Sequence, residues 1–473
     1  MAVMTASRPF RSRAIAILVA MLAVAAISQL VAAIRPAPTS RSEAVDPLQP
    51  AVGDLDTGTN AGGGGGGTAG QLDPASDVAR IKSNIAFWSK RVERHPDDFV
   101  SSNRLGISEI ELARATGDLS AYLRAEAAFD LTLGRDRDNA AALGYKGSLL
   151  VSLHRFVDAR ELANQVLARR ANDPVALATL GDASLELGDV DSAERAYRHA
   201  DAVAHGSATM TRLAHLAFIK GDPSMAVQIA RDAVRVGISE GAEGERAAFL
   251  YYQFAELLAA TGDLSGAGSA YAEALAADPG SFLARSGLAR VAAAQGKTND
   301  AIAQLSAAIE TVPQPEFLAR RADLYTLRGK VGDERRASDD YATVEAIARL
   351  AGEAASVYDR TLVYYLANHG LDPDRAVRLA SSELEVRKDV YGYDAYAWAL
   401  LGAGRLDDAQ RAMDDALAFG TRDARLLYHA GMIAAARGET AAARTDLQAA
   451  LALDPSFDPF QVERARETLE GLR

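Results

Sequence analysis

The chain has 473 residues, too many for one compact core, and 49% of them are apolar while only 6% are aromatic. A formal charge of -12 and a pI near 5.2 exclude a nucleic-acid-binding role, which requires a basic stripe to face phosphates. With no cysteine at all, disulfides, thiol catalysis, thiolate metal sites and lipid attachment through an N-terminal Cys are excluded as well.

The first elements predict export. Residues 1–13 carry Arg8, Arg11 and Arg13 and read as a basic cytoplasmic segment. Residues 14–34, AIAILVAMLAVAAISQLVAAI, form an uncharged run without Gly or Pro. A run of about 20 such residues spans a bilayer as an α-helix, and arginines before it hold that end in the cytoplasm. The preferred reading is an uncleaved anchor, because the small-residue pattern Ala23-Val24-Ala25 falls inside the run. The alternative is a cleaved signal sequence and a secreted or periplasmic protein. Residues 35–76 hold Pro36, Pro38, Pro47, Pro50 and the glycines Gly62 to Gly67, and predict a disordered tether. Neither a phosphate loop nor a calcium loop fits this stretch, since the flanking strand, the Lys-Ser/Thr pair and the closing Glu are missing.

From about Asp77 onward the chain predicts helix throughout. The segment DVARIKSNIAFWSKRVERH sets Ile81, Ile85, Trp88 and Val92 on one face, with Trp88 sealing the array that follows. A phrase then recurs: a Gly, an Ala five residues later, and a large apolar residue four further on. It is seen in GDVDSAERAY, GDLSGAGSAY, GKTNDAIAQL, GRLDDAQRAM and GETAAARTDL. Its alanines Ala159 and Ala193, Ala267 and Ala301, and Ala409 and Ala443 are each 34 residues apart. Such a period predicts a solenoid of helix pairs. In the copy beginning at Pro174, Leu177, Leu180 and Ser184 share one face of a first helix, and Gly188-Asp189 breaks and restarts the chain. Ala193, Tyr197 and Ala200 face back, with Gly181 and Ala193 small enough for close approach.

This pattern of Leu180-Gly181, Ala193, Tyr197 and a Pro near the boundary resembles the tetratricopeptide repeat family, and many copies share it. Clear units start near Ala140, Pro174, Ser207, Ala248, Phe282, Leu318, Val390 and Ala424, giving about ten with the irregular ones. The resemblance implies an all-α, right-handed solenoid over residues 77–457, closed by a capping helix in residues 458–473 whose Glu463, Arg464, Arg466 and Glu467 face solvent. Three irregularities stand out: extra residues before Ala125, an insertion GISEGAEGER expected to lengthen a loop, and a longer turn through Gly370 and Pro373.

Chemistry is not expected. None of His95, His154, His199, His205, His215, His369 and His429 forms a zinc motif with Glu, and no nucleophile elbow, Walker loop or dinucleotide fingerprint occurs. His154 and His199 read as solvated. The chain is therefore expected to be neither an enzyme nor a holder of a metal or cofactor. The resemblance implies instead that first helices line a concave groove for a protein or peptide. At the matching positions this groove holds Asp182, Thr211, His215, Tyr252, Glu256, Arg290, Tyr391, Asp394, Trp398, Tyr428 and Met432. Aromatic residues with a few polar groups suit peptide recognition. The alternative for these aromatics is packing between neighbouring repeats. The expected function is a bacterial scaffold, tethered at the outer face of the cytoplasmic membrane, that binds another envelope protein. A regulatory subunit of an enzyme or transporter is the other possibility.

Overall fold

The computed structural model describes residues 74–351 and 359–472. The expected anchor and most of the expected tether lie outside the described residues. Among the described residues no helix is long and apolar enough to cross a membrane. The architecture is all-α, with 22 helices and no strand among the described residues.

A leading helix α1 (Pro74–Arg94) precedes ten antiparallel pairs. They are α2 (Phe99–Thr116) with α3 (Leu119–Leu133), α4 (Ala140–Ser152) with α5 (Phe156–Leu167), and α6 (Pro174–Glu186) with α7 (Val190–Val203). Next come α8 (Ser207–Ile219) with α9 (Pro223–Ser239), α10 (Gly244–Ala260) with α11 (Leu264–Ala277), and α12 (Phe282–Ala294) with α13 (Thr298–Thr311). The last four are α14 (Pro315–Arg328) with α15 (Asp333–Ala351), α16 (Asp359–Asn368) with α17 (Pro373–Val386), α18 (Val390–Gly402) with α19 (Leu406–Leu417), and α20 (Ala424–Ala436) with α21 (Thr440–Leu453). Helix α22 (Gln461–Gly471) closes the array, burying Val462 and Ala465 while Glu463, Arg464, Arg466 and Glu467 stay exposed.

The recurring phrase is explained by two local effects. The Asp after the turn caps the second helix, as Asp189 accepts from the Ser192 amide at 3.0 Å and Asp263 from the Gly266 amide at 2.8 Å. The glycine in the first helix admits a ring: a Cβ on Gly181 would collide with Tyr197, and one on Gly106 with Phe129. Alanines such as Ala159, Ala193 and Ala267 are fully buried where the helices touch.

Two expectations need correction. The insertion GISEGAEGER does not form a long loop. Helix α9 continues to Ser239 and α10 begins at Gly244, so both helices reach 17 residues. The extra turn sets Glu240 between this pair and the next, where it accepts from the Ser207 hydroxyl of α8 at 2.7 Å and meets Arg246 of α10 at 2.7 Å. His154 is not a solvated turn residue. It adopts a positive φ of 55°, stacks on Phe156 with centroids 5.4 Å apart, and is half-buried.

The array also closes on itself, which no single repeat announces. Three turns between paired helices abut two loops and the end of α21, about 200 residues further along. The Lys388 amide donates to the Glu186 carbonyl at 2.8 Å, and the Thr421 hydroxyl donates to the Ile219 carbonyl at 2.5 Å. Arg387 pairs with Glu186 across the same seam. One apolar cluster spans it, joining Leu185, Phe218 and Ile219 to Val390, Leu400 and Leu426. Gly188, Gly221 and Gly262 combine positive φ (81°, 78° and 84°) with a close approach to the carbonyls of Lys388, Gly420 and Leu453. Gly296 has the same backbone (φ 71°) but open space around it.

That contrast gives a clean comparison. Gly296→Ala incurs only the left-handed strain of a Cβ, about 1–2 kcal/mol. Gly221→Ala adds a clash with backbone, about another 1–3 kcal/mol. The urea midpoint is expected to fall markedly further for Gly221→Ala; equal shifts would contradict the closure.

Candidate functional site

Closure converts the concave face into a lumen. A cavity of about 570 Å³ lies there, bounded by first helices from α6 to α20 and by the seam. Seven of the eleven groove residues border it: Asp182, Thr211, His215, Tyr252, Glu256, Arg290 and Tyr391. They converge because each occupies the inner side of α6, α8, α10, α12 or α18, and the superhelix turns those sides to one axis.

These side chains are not equally free. Asp182 is buried and accepts from the Tyr197 hydroxyl and from Arg212, all at 2.8 Å. Thr211 donates to the Ser207 carbonyl of its own helix at 2.8 Å. Glu256 holds Arg290 at 3.0 Å and accepts from the Tyr271 hydroxyl. The acid on a first helix thus binds the aromatic of its partner helix and an arginine of the next repeat, in both places. His215, Tyr252 and Tyr391 remain as half-buried lumen groups. Burial lowers the His215 pKa and raises that of Tyr252, so the lumen holds both neutral at pH 7.

Asp394, Trp398, Tyr428 and Met432 lie elsewhere. Asp394 and Tyr428 are fully buried and Trp398 is 4% exposed. The Trp398 indole stacks on His429 at 4.0 Å and donates to Asn368 at 2.8 Å. Tyr428 packs on Leu447, Ala450 and Phe457. These residues join the last repeats and the capping helix, so packing accounts for them. Trp398 and Met432 border a second cavity of about 830 Å³, beside His369 and Gln461, outside the lumen.

Asp394 carries a pH dependence. Burial alone raises a carboxyl pKa, but the His429 ring at 2.8 Å, Arg425 and the Tyr364 hydroxyl hold this one below its ordinary value. A lowered carboxyl contributes stability above its unfolded pKa, and that contribution is lost as pH falls toward the folded value. The thermal midpoint is expected to drop below about pH 4, and to drop less steeply in Asp394→Asn. Identical acid limbs would contradict this.

Several lumen residues were not legible as candidates. Glu186, Arg360, Arg387, Asp389 and Arg425 sit at helix ends or in loops between repeats. Arg360 bridges Glu383 at 2.7 Å and Asp389 at 2.6 Å. Burial raises Glu186, whereas Arg360 and Arg387 overcome burial to hold Asp389 well below the usual carboxylate range. The signal in the sequence was the charge-dense stretch VRKD from Val386 to Asp389, whose destination is fixed only by closure. Among the described residues no group of three or more His, Asp or Glu could hold a metal ion.

The fold and site define a helix-pair solenoid with an inward-facing polar surface. Three stretches of the chain, residues 147–209, 258–324 and 395–456, match family models described as tetratricopeptide repeat. Similar solved structures include the human IFIT1 dimer with PPP-AAAA, at 13% identity, 80% of this chain, 89% of that one and a TM-score of 0.45. YrrB, a TPR protein with an unusual peptide-binding site, is 19% identical over 40% of this chain and 94% of that one, with a TM-score of 0.28. The APC/C hetero-tetramer Cut9-Hcn1 is 13% identical over 84% and 94%, with a TM-score of 0.33. No curated protein matches the chain.

Proposed function

We propose that the array captures an extended segment of another envelope protein inside its lumen. Residues 14–34 anchor it in the cytoplasmic membrane, and residues 35–76 set its reach on the outer face. The observation that carries this reading is the convergence of His215, Tyr252, Glu256, Arg290 and Tyr391 on one cavity of about 570 Å³. That volume suits a few extended residues rather than a folded domain. Neutral aromatic and imidazole faces beside paired charges offer apolar contact together with backbone hydrogen bonds.

Photocrosslinking in intact cells tests it. A benzophenone side chain at Tyr252 or at Tyr391 is expected to trap the same envelope protein. One at Leu123, 62% exposed on α3, is expected to trap none. Identical products from all three positions would overturn lumen capture. N-terminal sequencing of the mature chain tests the anchor, which a start beyond Arg13 would overturn.

A further inference from the structure

One lumen arginine makes no direct ion pair among the described residues. Arg290 pairs with Glu256, Arg320 with Glu316 at 2.8 Å, Arg360 with Asp389 and Glu383, and Arg387 with Glu186. Lys388 is exposed at the seam. Arg425, in the first turn of α20, makes no side-chain hydrogen bond or ion pair among the described residues. It is held by rings instead: its guanidinium carbon lies 4.4 Å from the Tyr364 centroid and 5.6 Å from that of Tyr391.

The carboxylates nearest to it in the fold are already engaged. Asp423 caps α20, accepting from the amides of Arg425 at 2.9 Å and Leu426 at 3.1 Å. Asp394 accepts from Tyr364 at 2.7 Å and binds His429 at 2.8 Å. A guanidinium clamped by aromatic faces keeps its donor edge free and its plane fixed, which is how a carboxylate is recognised in two-point fashion.

We propose that Arg425 reads an Asp or Glu side chain of the segment that enters the lumen, an inference that rests on lumen capture of a peptide. The charge inventory selects a carboxylate over a phosphate or a nucleic acid. Seven carboxylates (Asp182, Glu186, Glu256, Glu316, Asp389, Asp423 and Asp454) line the lumen against six Lys or Arg side chains. A multiply charged ligand meets repulsion there, whereas one carboxylate matches the one guanidinium without a direct ion pair.

The test uses the purified full-length protein and two fluorescent pentapeptide pools, acetylated and amidated at their ends. The pools share random flanks and differ only at the centre, Asp/Glu in one and Asn/Gln in the other. Wild type is expected to retain the acidic pool about tenfold better, the worth of a charge-assisted hydrogen bond. Arg425→Gln is expected to bring the ratio to one without reducing retention of the amide pool. Arg425→Lys, which preserves the charge and removes the planar fork, is expected to give an intermediate ratio, and it decides the matter if Arg425→Gln fails to fold. Retention of both pools without acidic preference, or a preference that survives both substitutions, would overturn the role of Arg425. Retention of neither pool would overturn the peptide reading beneath it.

Discussion

Trp398→Ala is expected to lower stability by about 3–5 kcal/mol, with the last two repeats and the capping helix unfolding first. The indole is 4% exposed and fills the space between α16, α20 and α22. Removing it vacates the face of His429, which stacks at 4.0 Å, and leaves Asn368 without the donor at 2.8 Å. Tyr428, fully buried at a centroid distance of 5.5 Å, loses its neighbour too. A groove residue would behave otherwise, weakening partner capture while helicity and melting stayed unchanged. Circular dichroism melting therefore separates packing from recognition at this position. An unchanged melt would contradict the packing account.

Asp182→Ala is expected to cost about 3–5 kcal/mol, because it strands a buried cation. Arg212 is 2% exposed, and its Nε and Nη2 both donate to Asp182 at 2.8 Å. The Tyr197 hydroxyl loses the same acceptor. Replacing both partners by apolar residues of similar size, Asp182→Leu with Arg212→Met, is expected to recover most of that loss, since no buried charge remains unpaired. Urea unfolding of the single and double variants checks this. A double variant as unstable as the single would contradict the assignment of the cost to the stranded charge.

The fold was largely legible because its causes are local. Gly181 and Tyr197 are close in sequence, Asp189 caps the helix it precedes, and each copy repeats the same solution. What escaped was the consequence of stacking many copies. The positive φ of Gly188, Gly221 and Gly262 follows from any turn between paired helices. Their contact with segments about 200 residues later depends on small rotations summed over several repeats, to which no residue pattern points. The candidate site divides along the same line. Positions in the middle repeats border the cavity from the inner side of their helices, a placement that helical spacing alone decides. Near the C-terminus the same spacing misleads, because α22 and the last pairs fold over Trp398 and Tyr428. Arg425 was invisible for a third reason, since its lack of a direct ion pair is a property of its neighbours and not of its own position.

The claim that the solenoid closes to form a lumen is tested most directly by a distance across the seam. The chain has no cysteine, so nitroxide labels can be placed cleanly at Asp191 and Lys388, both exposed and on opposite sides of the closure. Electron-electron double resonance is predicted to give one narrow short-distance peak, because residues 186 and 388 share a backbone hydrogen bond of 2.8 Å. A broad distribution at long distance would describe an open superhelix and contradict the lumen.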